Sequence, residues 1–130
     1  MLYTRCIFKE PLVEGGLRIS VMSRHTKNDG VTEDDRITSE NFDLHFPELG
    51  PPPKLIGAYY RKEISWDEFK NRYRLEITDP KIQNLLKLIA YTALTGDITL
   101  LCVEETHVKC HRGILAEELK KLANIKVLHC

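Results

Sequence analysis

Five side chains able to do chemistry fall within eleven positions: Cys102, His107, Cys110, His111 and Arg112. A thiol beside a helix start or a cation ionises more readily than a free one, and the thiolate is the nucleophile. Histidine can move a proton near neutral pH. Arginine presents a fork of donors matched to phosphate, sulfate or carboxylate. The group therefore reads as a site for thiol chemistry on a small anionic substrate. Cys110, or alternatively Cys102, is the nucleophile, and His111 or His107 carries the proton. Arg112 and the helix start hold an oxyanion, with Glu104 close by.

The elements around this loop can be read from hydrophobic period. Ile98, Leu100, Leu101 and Val103 form an almost continuous apolar run, the pattern of a strand covered on both sides. Gly96-Asp97 turns into it, and Glu104-Glu105-Thr106 ends it. From Ile114 the period changes: Leu115, Leu119 and Leu122 share one helical face, with Glu117, Glu118, Lys120 and Lys121 turned to water. Ile125 to Leu128 forms a further strand, completing a βαβ unit. Cys102 thus lies at the carboxyl end of a strand, where open α/β sheets bind ligands. Cys110 and His111 lie at a helix start, where unpaired N–H groups favour an anion.

Cys102-Val103-Glu104, five residues, Cys110-His111-Arg112 and then Leu115-Ala116-Glu117 resemble the signature of the domain of unknown function 488 family. That family ends a strand with cysteine and glutamate and opens the next helix with Cys-His-Arg. The resemblance implies a small α/β fold and places the site, without assigning a reaction. It extends more loosely upstream. Val21-Met22-Ser23-Arg24 is similar to the family's second strand, where Ser23 replaces an acid and Arg24 matches. Trp66, Phe69 and Tyr73 fit its aromatic helix. His107 stands where the family usually has proline. Arg24 adds a second cation to the site if its strand runs parallel to the one ending at Cys102, and is remote if it runs antiparallel.

Two other readings use the same residues. A non-catalytic module would bind a small anion or nucleotide with the same donors. A zinc protein would use Cys102, His107, Cys110 and His111 as two sulfurs and two nitrogens, although seven residues between the cysteines is not a usual zinc spacing. No cofactor is otherwise expected. The glycine-rich loop that cradles the anion in cysteine phosphatases and sulfurtransferases is missing, since Cys110 and Arg112 are only two apart. A transferase or hydrolase of unassigned substrate is the enzymatic reading. Against all of these stands a structural reading: Cys102 as core packing, Arg112 as a partner of Glu104, and His111 as a cap or shield for the helix start.

The remaining chain supports one α/β domain over residues 1–130, with a mainly parallel sheet of about four strands flanked by helices. Nineteen basic and nineteen acidic residues cancel, which argues against nucleic acid as partner. No apolar run spans a bilayer, and the first residues lack a signal peptide's apolar core, so a soluble cytoplasmic protein with reduced cysteines is expected. Leu2–Phe8 is the first strand, with an antiparallel edge as one of its two possible places in the sheet. Leu17–Met22 is the second; the connection between them is too short for a helical crossover, so the two either pair antiparallel or are separated. Residues 25–41 read as a solvated, flexible loop, or alternatively as a lid over the site. Lys54–Arg61 reads as a short helix after three prolines. Ser65 caps a helix with Trp66, Phe69 and Tyr73 on its buried face. Asp79-Pro80 starts the longest helix, with Ile82, Leu85, Leu86, Ile89 and Ala93 inward.

Overall fold

A computed structural model describes residues 1–130. Five strands form one sheet: β1 (Leu2–Cys6), β2 (Leu17–Ser20), β3 (Leu44–His45), β4 (Ile98–Cys102) and β5 (Val127–His129). Their order is β3-β2-β4-β1-β5, and every pairing is parallel. Of the two arrangements expected for β1 and β2, the antiparallel edge is corrected and separation holds: β1 lies inside the sheet between β4 and β5, and β4 parts it from β2. The short connection from β1 to β2 holds no helix. It returns across the sheet with a turn at each end, and Thr99 Oγ1 donates to the Gly15 carbonyl at 2.8 Å along its path. A connection of this length can span a five-residue strand because extended chain covers about 3.3 Å per residue. β2 then enters parallel to β1 but one strand away, leaving the gap that β4 fills. The fifth strand, β3, is two residues long and edges the sheet where the sequence read as irregular.

β4 is buried at every residue, as its unbroken apolar run predicts. The helices are α1 (Pro53–Tyr60), α2 (Trp66–Glu76), α3 (Pro80–Thr95) and α4 (His111–Leu122). The caps are those read from sequence. Ser65 Oγ accepts from the Glu68 N–H at 3.1 Å, and Asp79 accepts from the Lys81 N–H at 2.8 Å. The Glu68 carboxylate does not return to the cap but takes Arg72 at 2.6 Å. α4 packs on β1 and β4 and against α2 and α3. Its first six residues, His111 to Ala116, are all buried, so the start of this helix is a structural centre. Burial of Leu100, Leu115 and Leu119 there joins sheet and helix in one core. No helix is long and apolar enough to cross a membrane.

Candidate active site

A cavity of about 380 Å³ opens at the carboxyl ends of β2 and β4. Cys102, Cys110 and His111 form its floor. Ile56, Tyr59 and Tyr60 of α1 with Trp66 and Phe69 of α2 form an apolar and aromatic wall. Residues 26–31 supply the opposite wall, so the segment read first as a solvated loop borders the site. It is pinned rather than loose. Asp29 accepts from the N–H groups of Val31 and Thr32 at 2.9 Å, and Thr26 bridges Glu33. Those bonds, led by the one from the Thr32 hydroxyl, hold the Asp29 carboxyl at about 2.

The rim is cationic. Arg24, Lys27, Arg61 and Lys109 border the cavity against Asp29 and Glu104. Arg61 is spent on Glu63 at 2.7 Å. Arg24, Lys27 and Lys109 enter no ion pair, and Arg24 only steadies the Gly30 carbonyl, at 3.2 Å. Arg24 reaches the site because β2 runs parallel to β4, the condition the sequence left open.

Cys102 is the last residue of β4, and Cys110 is the N-cap residue of α4. Cys102, Cys110 and His111 are 3%, 3% and 4% exposed. His111 Nε2 lies 2.6 Å from the Val21 carbonyl oxygen, which can only accept, so Nε2 carries the hydrogen. In the neutral ring Nδ1 is then a lone pair, and it faces Cys102 Sγ at 3.7 Å. The edge of the Tyr73 ring abuts the imidazole at 5.6 Å, and Tyr73 is itself tied by its hydroxyl to the Leu49 carbonyl. A thiol, an imidazole lone pair and a carbonyl that fixes the ring thus lie in sequence.

The two sulfurs divide their titration. Cys102 lies below the usual thiol range. The hydrogen bond from Cys110 is the main cause, opposed by burial and assisted by the Arg112 charge and the Glu104 and Val103 backbone. Burial, and then the adjoining Cys102, push Cys110 far up. The two thiols titrate as a coupled pair, Cys102 drawn down and Cys110 pushed up.

Arg112 does not reach the cavity. It is 1% exposed, and its Nη1 donates to the Glu104 carbonyl at 2.7 Å and to Cys110 Sγ at 3.3 Å. One helical step beyond His111 turns it beneath the site loop, away from any ligand in the cavity. Glu104 does line the cavity, but its carboxylate accepts from the Tyr60 hydroxyl at 2.9 Å and not from Arg112. His107 also lies outside. Its ring stacks on His129 with centroids 3.6 Å apart, while its backbone carbonyl accepts the Cys110 N–H at 3.3 Å. Cys6 packs on β1 and donates to the Val103 carbonyl at 3.4 Å.

Tyr60, Lys27 and Lys109 are site residues that the sequence reading missed. Lys109 adjoins Cys110 and could have been found by adjacency; the other two come from elements without a chemical signature. The donor atoms of Cys102, Cys110 and His111 lie within 4.8 Å of one another. Two sulfurs and one nitrogen converging in this way could hold a metal ion such as zinc. His107, the fourth donor in the sequence reading, does not belong to that group.

No curated protein and no solved structure matches the chain. A family model described as "Active DUF488-N3 subclade" matches residues 2–123. The model runs from the first residue of β1 to the end of α4 and so takes in both cysteines, the histidine and the strands that aim them. The chain belongs to the domain of unknown function 488 family.

Proposed function

We propose that the protein is a thiol-dependent transferase or hydrolase acting on a small anionic substrate, with Cys102 as nucleophile and His111 as base. The observation that carries this reading is the His111 ring, fixed at Nε2 by Val21 and open at Nδ1 toward Cys102. His111 Nδ1 takes the Cys102 proton. The sulfur bonds to the electrophilic centre of the substrate as the bond to the leaving group breaks, and His111 returns the proton to that group. An acceptor, which is water in a hydrolase, then releases the transferred group from sulfur. Arg24, Lys27 and Lys109 draw the anion, and the aromatic wall suits a substrate that also carries an apolar or aromatic part. Cys110 steadies the thiolate, and Arg112 positions both.

The test is the alkylation rate of each cysteine against pH, read by peptide mass spectrometry, with and without phosphate. The expected result is a Cys102 midpoint well below the free-thiol value of about 8.5 and slower alkylation in phosphate. An inert or ordinary Cys102 overturns the reading. A low midpoint without phosphate protection leaves the nucleophile but removes the anionic substrate.

The convergence of the three donors also favours a second reading, zinc held by Cys102, Cys110 and His111. On that reading a chelator exposes both thiols to alkylation and releases one equivalent of metal.

A further inference from the structure

Cys110 has no step of its own in the proposed reaction, yet it lies in the cavity floor beside the nucleophile. Both sulfurs border the cavity, and both lie within 4.8 Å of the same imidazole nitrogen and of each other. All four cysteines of the chain are free. Cys6, at the end of β1, is turned to the Val103 carbonyl, and Cys130 lies near the Leu128 carbonyl. Neither borders the cavity. A disulfide needs sulfurs about 2 Å apart, so the approach asked of this pair is short. The loop from Val103 to Lys109 joins the two cysteines and brings Cys110 to Cys102.

We propose that Cys102 and Cys110 are a dithiol that a hydroperoxide converts to an intramolecular disulfide, with Cys102 the sulfur that attacks the peroxide and Cys110 the resolving thiol. In the first step the Cys102 thiolate attacks one oxygen of the hydroperoxide. An S–O bond forms, the O–O bond breaks, and the product is Cys102 sulfenic acid plus an alkoxide or hydroxide that takes up a proton. In the second step the Cys110 sulfur attacks the Cys102 sulfur. An S–S bond forms, the S–O bond breaks, and the oxygen leaves as water with the Cys110 proton. Two electrons pass from the thiol pair to the peroxide. A dithiol reductant returns the pair to its starting state by exchange.

This shares with the proposed function only the nucleophilic Cys102 sulfur. It makes the loop a covalent modification site, which gives Cys110 a reason to lie beside Cys102. Closing the disulfide removes the nucleophile, so an oxidised protein is inactive until reduced. It also keeps Cys102 from further oxidation to sulfinic acid, which exchange does not reverse.

The experiment uses the full chain, chelator-treated and then exposed to hydrogen peroxide, with intact-mass and peptide mass spectrometry. The expected product is a monomer lighter by two hydrogens, with a Cys102–Cys110 cross-linked peptide that dithiothreitol removes. In Cys110→Ser the cross-link is lost entirely, and Cys102 is trapped instead as a dimedone adduct. The inference is overturned if wild-type Cys102 gives the dimedone adduct or sulfinic acid without a cross-link, or if it cross-links to Cys6 or Cys130 instead. These outcomes leave the proposed function standing, because Cys102 still reacts. A Cys102 that neither oxidises nor alkylates overturns both.

Discussion

His111 Nδ1 stands 3.7 Å from Cys102 Sγ because the opposite nitrogen of the same ring is bound to the Val21 carbonyl at 2.6 Å. Replacing His111 by Gln keeps a polar side chain but removes the base. Alkylation of Cys102 at neutral pH should fall about 10²-fold, the lower range for a positioned base. Its rate at high pH, where the thiol ionises unaided, should fall much less. A uniform loss at all pH values would mean that His111 only packs.

Arg112 is the largest fully buried side chain, and it ties the Glu104 carbonyl to Cys110. Arg112→Met fills similar space but leaves that carbonyl unpaired. Urea unfolding should show a loss of about 1–3 kcal/mol, the cost of a buried group left without a partner. The Cys102 titration midpoint should also rise, because the Arg112 charge helps hold it down.

Gly113 lets α4 start directly under the site loop. A Cβ there would lie 2.5 Å from the His107 carbonyl oxygen, the same oxygen that accepts the Cys110 N–H. Gly113→Ala should therefore displace the loop from Thr106 to Cys110. The expected destabilisation is about 1–3 kcal/mol, as for overpacking elsewhere. Loss of selective Cys102 alkylation should accompany it, and unchanged alkylation with unchanged stability would refute this role for the glycine.

His25 gives the protein a pH dependence unrelated to the cysteines. Burial, aided by the neighbouring His45, holds its pKa at about 4 against an ordinary 6.5. Its Nε2 meets Ser20 Oγ at 2.7 Å, and its ring stacks on His45 at 4.1 Å. Between pH 6.5 and 4 the unfolded chain binds this proton and the folded one does not, so stability falls as pH falls. The contribution is fully present above 6.5. His25→Gln should flatten the slope of stability against pH in that window, measured by urea midpoints. An unchanged slope would assign the acid sensitivity to other groups.

The sequence made the centre of the site legible because period and chemistry coincide there. The apolar run at Ile98–Val103 and the helical face of Leu115 and Leu119 locate Cys102 and Cys110 without ambiguity. Other features depend on partners that leave no mark in side-chain order. The Val21 carbonyl orients His111, and a backbone acceptor has no residue type. Trp66, Phe69 and Tyr73 share a helix face, yet Trp66 borders the cavity, Phe69 is both core and cavity wall, and Tyr73 supports the imidazole. Arg112 and His107 carry the right chemistry, but the turn of α4 and the stack on His129 take them elsewhere. β3 is too short for any periodic signal. The place of β1 in the sheet depends on β5, over a hundred residues later in the chain.

β1 and β2 never touch; each pairs with β4, which lies between them. A chain emerging from the ribosome thus carries two strands with no common partner until residue 98 and beyond have been made. The sheet cannot close in the order in which it is synthesised. Long-range pairings of this kind slow folding and leave strand edges open meanwhile. Translation from residue 98 onward delivers the missing strand, Cys102, Cys110 and His111 together, so the cavity floor forms only when the sheet can close.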